Sequence, residues 1–394
     1  VNRITLNIEA IKHNLAMVNG WVRGHGARMT VVTKALCGNE QALNALHRLG
    51  VESMGDSRLA NLEAIARAVP GVETWYLRPP HRSAISEIVG LSDVSLNTEL
   101  AVIKELNEEA ARKDRLHHVI IMVELGDLRE GILPGALIKL YREVFDLPNI
   151  EVLGIGANLG CLTGCVPNID QLMQLVLYRE LLQLKFDRKL PLISAGSSAV
   201  LPLLLDGRLP KTVNHFRVGE TILLGTDLVN GGTIEGLRDD GARLEAEVIE
   251  IQEKSLIPLG ETVEMTPFAP VEEEESFAPG QRGYRALVAV GQLDTDIGGL
   301  TPVDANRKIA GASSDITVVN LGEDPGGLKV GDTIDFRMGY SGFVRLMANK
   351  YTDKEVLPLP PEAENVDPAM RAMLQVPAVA AGLGLHGGTA DRAG

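Results

Sequence analysis

Residues 29–68 read MTVVTKALCGNEQALNALHRLGVESMGDSRLANLEAIARA, and their texture decides the fold. The β-branched run Met29 to Thr33 predicts a strand, and Glu40 to Leu49, apolar at three- and four-residue spacing, predicts a helix. Val51 to Met54 and Arg58 to Ala68 repeat the pair. The same alternation runs on to about residue 225, with strand candidates at Thr74 to Leu77, Val94 to Leu96, Val119 to Val123, Val152 to Ile155, Leu192 to Ser194 and Phe216 to Val218. Helix candidates between them include Glu99 to Arg112, Leu133 to Phe145 and Ile169 to Phe186. Eight strands alternating with helices over about 200 residues match a (β/α)8 TIM-like barrel. An open doubly wound sheet, with about five or six strands, fits less well, and no G-x-G-x-x-G follows the first strand.

Beyond Gly225 the pattern changes. Arg243 to Gln252 (RLEAEVIEIQ) alternates with period two, Gly and Pro become denser, and Tyr284 to Val290, Ile316 to Asn320 and Thr333 to Phe336 predict further short strands. The expected organisation is an α/β barrel over residues 9–230, then a C-terminal β-rich domain over 231–358. Residues 1–8 are assigned to that second domain, because Ile4 to Ile8 can pair with its sheet. The acidic stretch Glu272 to Glu275 predicts a solvated loop, and residues 359–394, rich in Pro, Ala and Gly, predict a flexible tail.

Composition narrows the function. A chain of 394 residues with 45% hydrophobic and 23% charged residues is an ordinary globular protein of one large or two fused domains. No apolar run nears the ~20 residues that span a bilayer. Lys plus Arg number 38 against 52 Asp plus Glu, and the net charge of −14 disfavours a nucleic-acid partner. Three cysteines, Cys37, Cys161 and Cys165, and an N-terminus without a signal-like series predict a cytoplasmic protein. Cys161 and Cys165 are spaced C-x3-C, but no other Cys or His pair at ligand spacing supports a metal site.

In such a barrel the site lies at the carboxyl ends of the strands, with phosphates commonly held after strands seven and eight. Strand one ends at Thr33-Lys34, strand seven runs into Ala195-Gly196-Ser197-Ser198, and strand eight into Gly219-Glu220-Thr221. Singly, each is ordinary: a surface lysine, or a turn with a helix cap. Jointly, a lysine facing a Gly/Ser cup predicts a phosphorylated aldehyde held as a Schiff base, which is pyridoxal phosphate.

These residues also carry a resemblance. Thr30 to Asn39 (TVVTKALCGN) resembles the cofactor-lysine strand of the alanine-racemase-like, fold-type III pyridoxal-phosphate enzymes, and most nearly their ornithine racemase branch. Gly55 to Arg58 with Asn61 to Glu63, Asn158 to Cys161, Ser194 to Ser198 (SAGSS) and Asn214 to Gly225 (NHFRVGETILLG) follow in the same order. Gly291 to Pro302, Gly311 to Asp315 and Gly339-Tyr340 extend it through the second domain, so that it covers roughly residues 2 to 357.

The resemblance implies an amino-acid racemase acting on an ornithine-, lysine- or alanine-like substrate, and a head-to-tail homodimer with shared active sites. Lys34 would carry the cofactor and serve as acid/base on one face of the substrate. Arg217 would face the pyridine nitrogen, Ser197, Ser198, Gly219 and Glu220 would hold the phosphate with the Glu220 side chain turned away, and Tyr340 would donate its phenol there. Asn158 would sit near the cofactor ring, and His118 and His215 read as core or barrel-end residues. Racemisation needs an acid/base on the second face, where alanine racemases place a tyrosine in G-Y-A-D. The matching stretch here is Gly291-Gln292-Leu293-Asp294, and an amide cannot move that proton. Candidates for the second group are Cys161, Cys165 four residues on and, from a partner chain, Asp294 or Asp315. A fold-type III decarboxylase is an alternative, although Ala195-Gly196-Ser197 and Phe216-Arg217-Val218-Gly219 stand where it would carry Gly-Gly-Gly and Glu-Pro-Gly-Arg. A non-catalytic cofactor carrier is a third reading.

Overall fold

A computed structural model describes residues 2–162, 164–258, 260 and 277–358. Glu272 to Glu275 and the tail 359–394 lie outside the described residues, as do the expectations made for them. The chain opens with β1 (Arg3–Asn7) and a helix, Ile8–Gly24, whose Asn7 caps the Ala10 amide at 3.3 Å. Eight strands then alternate with helices: β2 (Arg28–Val32), β3 (Ser53–Asp56), β4 (Glu73–Tyr76), β5 (Val94–Asn97), β6 (His117–Met122), β7 (Ile150–Gly156), β8 (Leu192–Ser197) and β9 (His215–Val218). They form a closed parallel barrel in sequence order, and β9 returns to β2 with Thr30 opposite Arg217.

All eight predicted strands are present, with two local differences. β3 starts at Ser53 rather than Val51, because the Val51 amide still closes the preceding helix on the Leu46 carbonyl at 3.2 Å. The helix expected over Leu133 to Phe145 divides into a tight turn, Pro134–Ala136, and a helix, Leu137–Val144, since Pro134 has no N–H and serves only a first turn. The barrel interior is filled by Trp75, Val94, Leu96, Ile120, Met122, Leu153 and Leu192. Outside that interior Gly196 leaves room for a neighbouring strand's ring: a Cβ there would stand 2.2 Å from the ring of Phe216.

The second domain is the antiparallel sheet expected from the period-two pattern. Its strands are β10 (Ala242–Ser255), β11 (Arg282–Val288), β12 (Leu300–Pro302), β13 (Lys308–Ala312), β14 (Thr317–Gly322), β15 (Thr333–Met338) and β16 (Asp353–Leu357). Along β10 the alternate residues Ala242, Leu244, Ala246 and Val248 are buried while Arg243, Glu245 and Glu247 face outward. β1 does join this sheet, antiparallel to β10 with Ile4 opposite Leu244, and parallel to β16. A helix, Tyr340–Ala348, leaves β15 and packs on the turn Lys34–Leu36, which brings the second domain to the carboxyl mouth of the barrel. Among the described residues no helix is long and apolar enough to cross a membrane.

Candidate active site

The end of β2 is fixed by a buried carboxylate. Asp56 accepts hydrogen bonds from the amides of Ser57 (2.7 Å) and Arg58 (3.0 Å), from Asn61 Nδ2 (3.0 Å) and from Thr33 Oγ1 (3.0 Å). Burial pushes its carboxyl above the usual range, and these four donors pull against that shift. Thr33 is thereby tied to β3, and the chain turns tightly through Lys34–Leu36 into Cys37, held in the left-handed region at φ 50°. Lys34 is thrown into a cavity of about 530 Å³ at the carboxyl end of the barrel, its Nζ 5.9 Å from the centroid of the Tyr340 ring.

That cavity gathers most of the predicted residues. Lys34, Asn158, Cys161, Ser197, Ser198, Arg217, Gly219, Glu220 and Tyr340 all line it, although more than 300 positions separate the first from the last. Arg217 is buried, and its four Nη hydrogens all meet protein acceptors. Nη1 gives to the Ser194 carbonyl (2.7 Å) and to Ser194 Oγ, and Nη2 to the Ala157 carbonyl (3.0 Å) and Asn158 Oδ1 (2.5 Å). The Nε–H makes none of these bonds. Burial lowers the guanidinium to about 10, still charged at neutral pH.

On the neighbouring strand β8 Ser197 stands in register with Arg217 and its Oγ is buried without a protein partner, while Ser198 Oγ, one residue on, lies 3.5 Å from the Thr221 amide. A buried hydroxyl without a partner is unusual, and a bound group with an acceptor would satisfy it. Gly219 lets the chain pass β2, for a Cβ there would meet the Val32 carbonyl at 2.6 Å. Glu220 borders the cavity, its side chain bonded to Thr226 and within electrostatic reach of Lys34. Burial raises its carboxyl to about 7, so a large share of it is neutral at neutral pH.

Sequence reasoning missed the loop after β6. Arg129 and Glu130 line the cavity, Glu130 pairs with Arg129 and accepts from Asn158 Nδ2, and Asn158 in turn receives Arg217. Asp127, nearly inaccessible, accepts the amides of Cys161 (3.0 Å) and Leu162 (3.2 Å) and so straps the loop after β7 to the loop after β6. The signal was the charge-rich run Asp127-Leu128-Arg129-Glu130 just past a strand end. Asp294 and Asp315 are not in this chain's cavity. Asp294 holds its own turn, accepting from the Gly291 amide and from Asn349 Nδ2, both at 2.9 Å, while Asp315 is exposed and accepts from Ser314 Oγ at 2.6 Å.

The amine of Lys34, the uncommitted Ser197 hydroxyl and the Arg217 Nε–H fit a phosphorylated pyridine aldehyde. Comparison with known proteins agrees. Residues 6–227 match the family model "Alanine racemase, N-terminal domain". The chain is 34% identical over 357 residues to the ornithine racemase of Acetoanaerobium sticklandii, covering 90% of this chain and 99% of that one. It is 31% identical over 354 residues to the lysine racemase of Thermotoga maritima, covering 89% and 97%. Among solved structures, the alanine racemase of Bartonella henselae, determined with covalently bound pyridoxal phosphate, superposes with a TM-score of 0.64 at 14% identity, covering 90% of this chain and 99% of that one. Barrel and second domain thus recur, with sequence identity to the two racemases along nearly the whole length, and the chain belongs to the alanine racemase family.

Proposed function

We propose that the protein is a pyridoxal-phosphate-dependent amino-acid racemase, with the basic amino acids ornithine and lysine as its foremost substrates. The observation that carries the reading is the convergence of Lys34, Arg217 and the unpartnered Ser197 hydroxyl on one cavity. When bound, the cofactor takes up the electron pair released as the substrate loses its α-proton. Lys34 holds the cofactor and moves the proton at the α-carbon on one face. Arg217, which keeps its proton, holds the pyridine nitrogen without protonating it. Ser197, Ser198, the Gly219 backbone and Tyr340 hold the phosphate, and Glu220 in its neutral form leaves that end free of repulsion. Cys161 is the group for the second face, with Asp294 and Asp315 of a partner chain as the competing candidates.

The working unit in this reading is a head-to-tail homodimer in the cytoplasm, one barrel mouth meeting the other chain's β-domain. In its favour, the mouth exposes Leu128 (73%), Leu162 and Val166, and the loop after β11 exposes Leu293 (68%). The test is incubation with single enantiomers of ornithine, lysine, alanine and serine in deuterated water, followed by chiral chromatography with mass detection. The expected product is the opposite enantiomer carrying deuterium. Deuterium with retention only would show Lys34 working alone, carbon dioxide release would show a decarboxylase, and a protein that binds the cofactor with no turnover would be a carrier.

A further inference from the structure

Beneath Arg217, inside the barrel, runs a line of buried polar side chains that proton transfer at the substrate does not use. Ser194, His215 and Thr30 are 0%, 1% and 0% exposed, beside the apolar interior of Trp75, Leu96 and Ile120. Ser194 Oγ lies 2.7 Å from His215 Nδ1, His215 Nε2 lies 3.0 Å from Thr30 Oγ1, and Thr30 Oγ1 lies 2.8 Å from Ser53 Oγ. The imidazole stacks on Trp75, centroids 4.3 Å apart and planes 14° apart. The line therefore begins at Arg217 and ends at Ser53, which borders a second cavity at the amino-terminal end of the barrel.

Its polarity follows from one fact: a guanidinium only donates. Nη1 of Arg217 gives a hydrogen to Ser194 Oγ, so the serine's own hydrogen goes to His215 Nδ1. Nε2 is then the protonated nitrogen, it donates to Thr30 Oγ1, and Thr30 donates to Ser53. A protonated imidazole would carry hydrogen on Nδ1 as well and break this order. Burial, with Arg28 and Arg217 nearby, keeps the ring neutral by holding its pKa well below the usual value.

We propose that His215 is a positioning residue for Arg217: through Ser194 it fixes the guanidinium so that the Nε–H remains available to the cofactor. It rests on the reading of the cavity as a pyridoxal-phosphate site. A neutral acceptor at the foot of Ser194 is needed because a rotated hydroxyl would aim its hydrogen at the guanidinium instead of accepting from it.

The test is titration of the apoprotein with pyridoxal phosphate, followed by the cofactor's visible absorbance. His215→Phe keeps the stack on Trp75 and removes both bonds, while Ser194→Ala removes only a hydroxyl and serves where the larger change prevents folding. Each is expected to weaken uptake about tenfold, the double variant no more than either, with His215→Asn, which restores an acceptor near Nδ1, recovering part. In an Arg217→Gln background the His215→Phe effect should fall below about twofold. An unchanged affinity, or the same loss with and without Arg217, would overturn the assignment. An apoprotein that takes up no cofactor at all would overturn the cofactor reading and the inference with it.

Discussion

Replacing Glu220 with Gln should make the apoprotein more stable at neutral pH, and by an amount that depends on pH. Burial raises this carboxyl from the ordinary 4.5 to about 7 in the folded chain. A raised carboxyl binds its proton more tightly when folded, so its favourable share of stability is complete below about pH 4.5. It is lost as pH climbs through about 7. The shift is about 2.5 units, and at about 1.36 kcal/mol per unit the wild type gives up about 3 kcal/mol over that window. Glutamine has nothing to ionise. The difference between variant and wild type should therefore grow by about 3 kcal/mol between pH 4.5 and 7.5 and stay level above. The assay is urea unfolding of both apoproteins at half-unit pH steps, or thermal midpoints, where about 2 °C accompanies each kcal/mol. The same ionisation sets a carboxylate beside the phosphate end of the cavity, so cofactor affinity should fall above pH 7 in the wild type more than in the variant. Parallel stability profiles across this range would refute the reasoning, because they would mean that Glu220 ionises alike in the folded and unfolded chain.

Four further outcomes follow from the geometry. Gly196→Ala should cost at least about 3 kcal/mol or prevent folding, since its Cβ would stand 2.2 Å from Phe216. Gly20→Ala, exposed in the first helix with nothing near its Cβ, should add about 1 kcal/mol, and urea midpoints compare the two. Asp56→Asn sets an NH2 among four donors and should lower stability by about 2 kcal/mol, with a weaker cofactor signal because the turn bearing Lys34 loosens. Cys161→Ala should reduce racemisation about 100-fold or more while α-deuterium exchange with retention persists, as measured by mass detection of single enantiomers.

The barrel was legible because each β2-to-β9 unit pairs a short run of strand formers with a helix of clear period, and eight of them leave one closed arrangement. Lys34, Ser197 and Gly219 were legible for the same reason, since each sits at or just beyond the carboxyl end of a barrel strand, whereas Arg217 was reached through resemblance. Tyr340 was visible only through resemblance: it begins a helix of the second domain, and nothing in Gly339-Tyr340 announces that this helix packs against Lys34–Leu36. Arg129 and Glu130 were missed because charged loop residues look solvated until the fold closes over them.

The second acid/base can be located by asking which chain supplies it. On the Gly291–Asp294 turn the Gln292 side chain donates to the Ala312 carbonyl at 3.0 Å, and Asp294 accepts from Gly291 and Asn349, so this turn's polar groups hold its own shape. Within one cavity, Tyr340 is a poor acid, its phenol raised by burial and by the negative charges of Glu220 and Asp56, and the Glu220 side chain is bonded to Thr226. Cys161, on the loop that Asp127 pins, is the remaining thiol, and it belongs to the same chain as the Lys34 it would face. Asp315 could act only from the partner. Mixed dimers separate the two. If the partner's Asp315 were the base, combining Lys34→Ala with Asp315→Asn chains would rebuild one complete site in each hybrid and return about a quarter of wild-type activity from a random mixture. If Cys161 is the base, combining Lys34→Ala with Cys161→Ala chains returns nothing, because every site lacks one of the two groups. The outcome expected here is silence from the Lys34 and Cys161 pair and full activity in the Asp315→Asn homodimer; recovery in the Asp315 mixture would move the second proton carrier to the neighbouring chain.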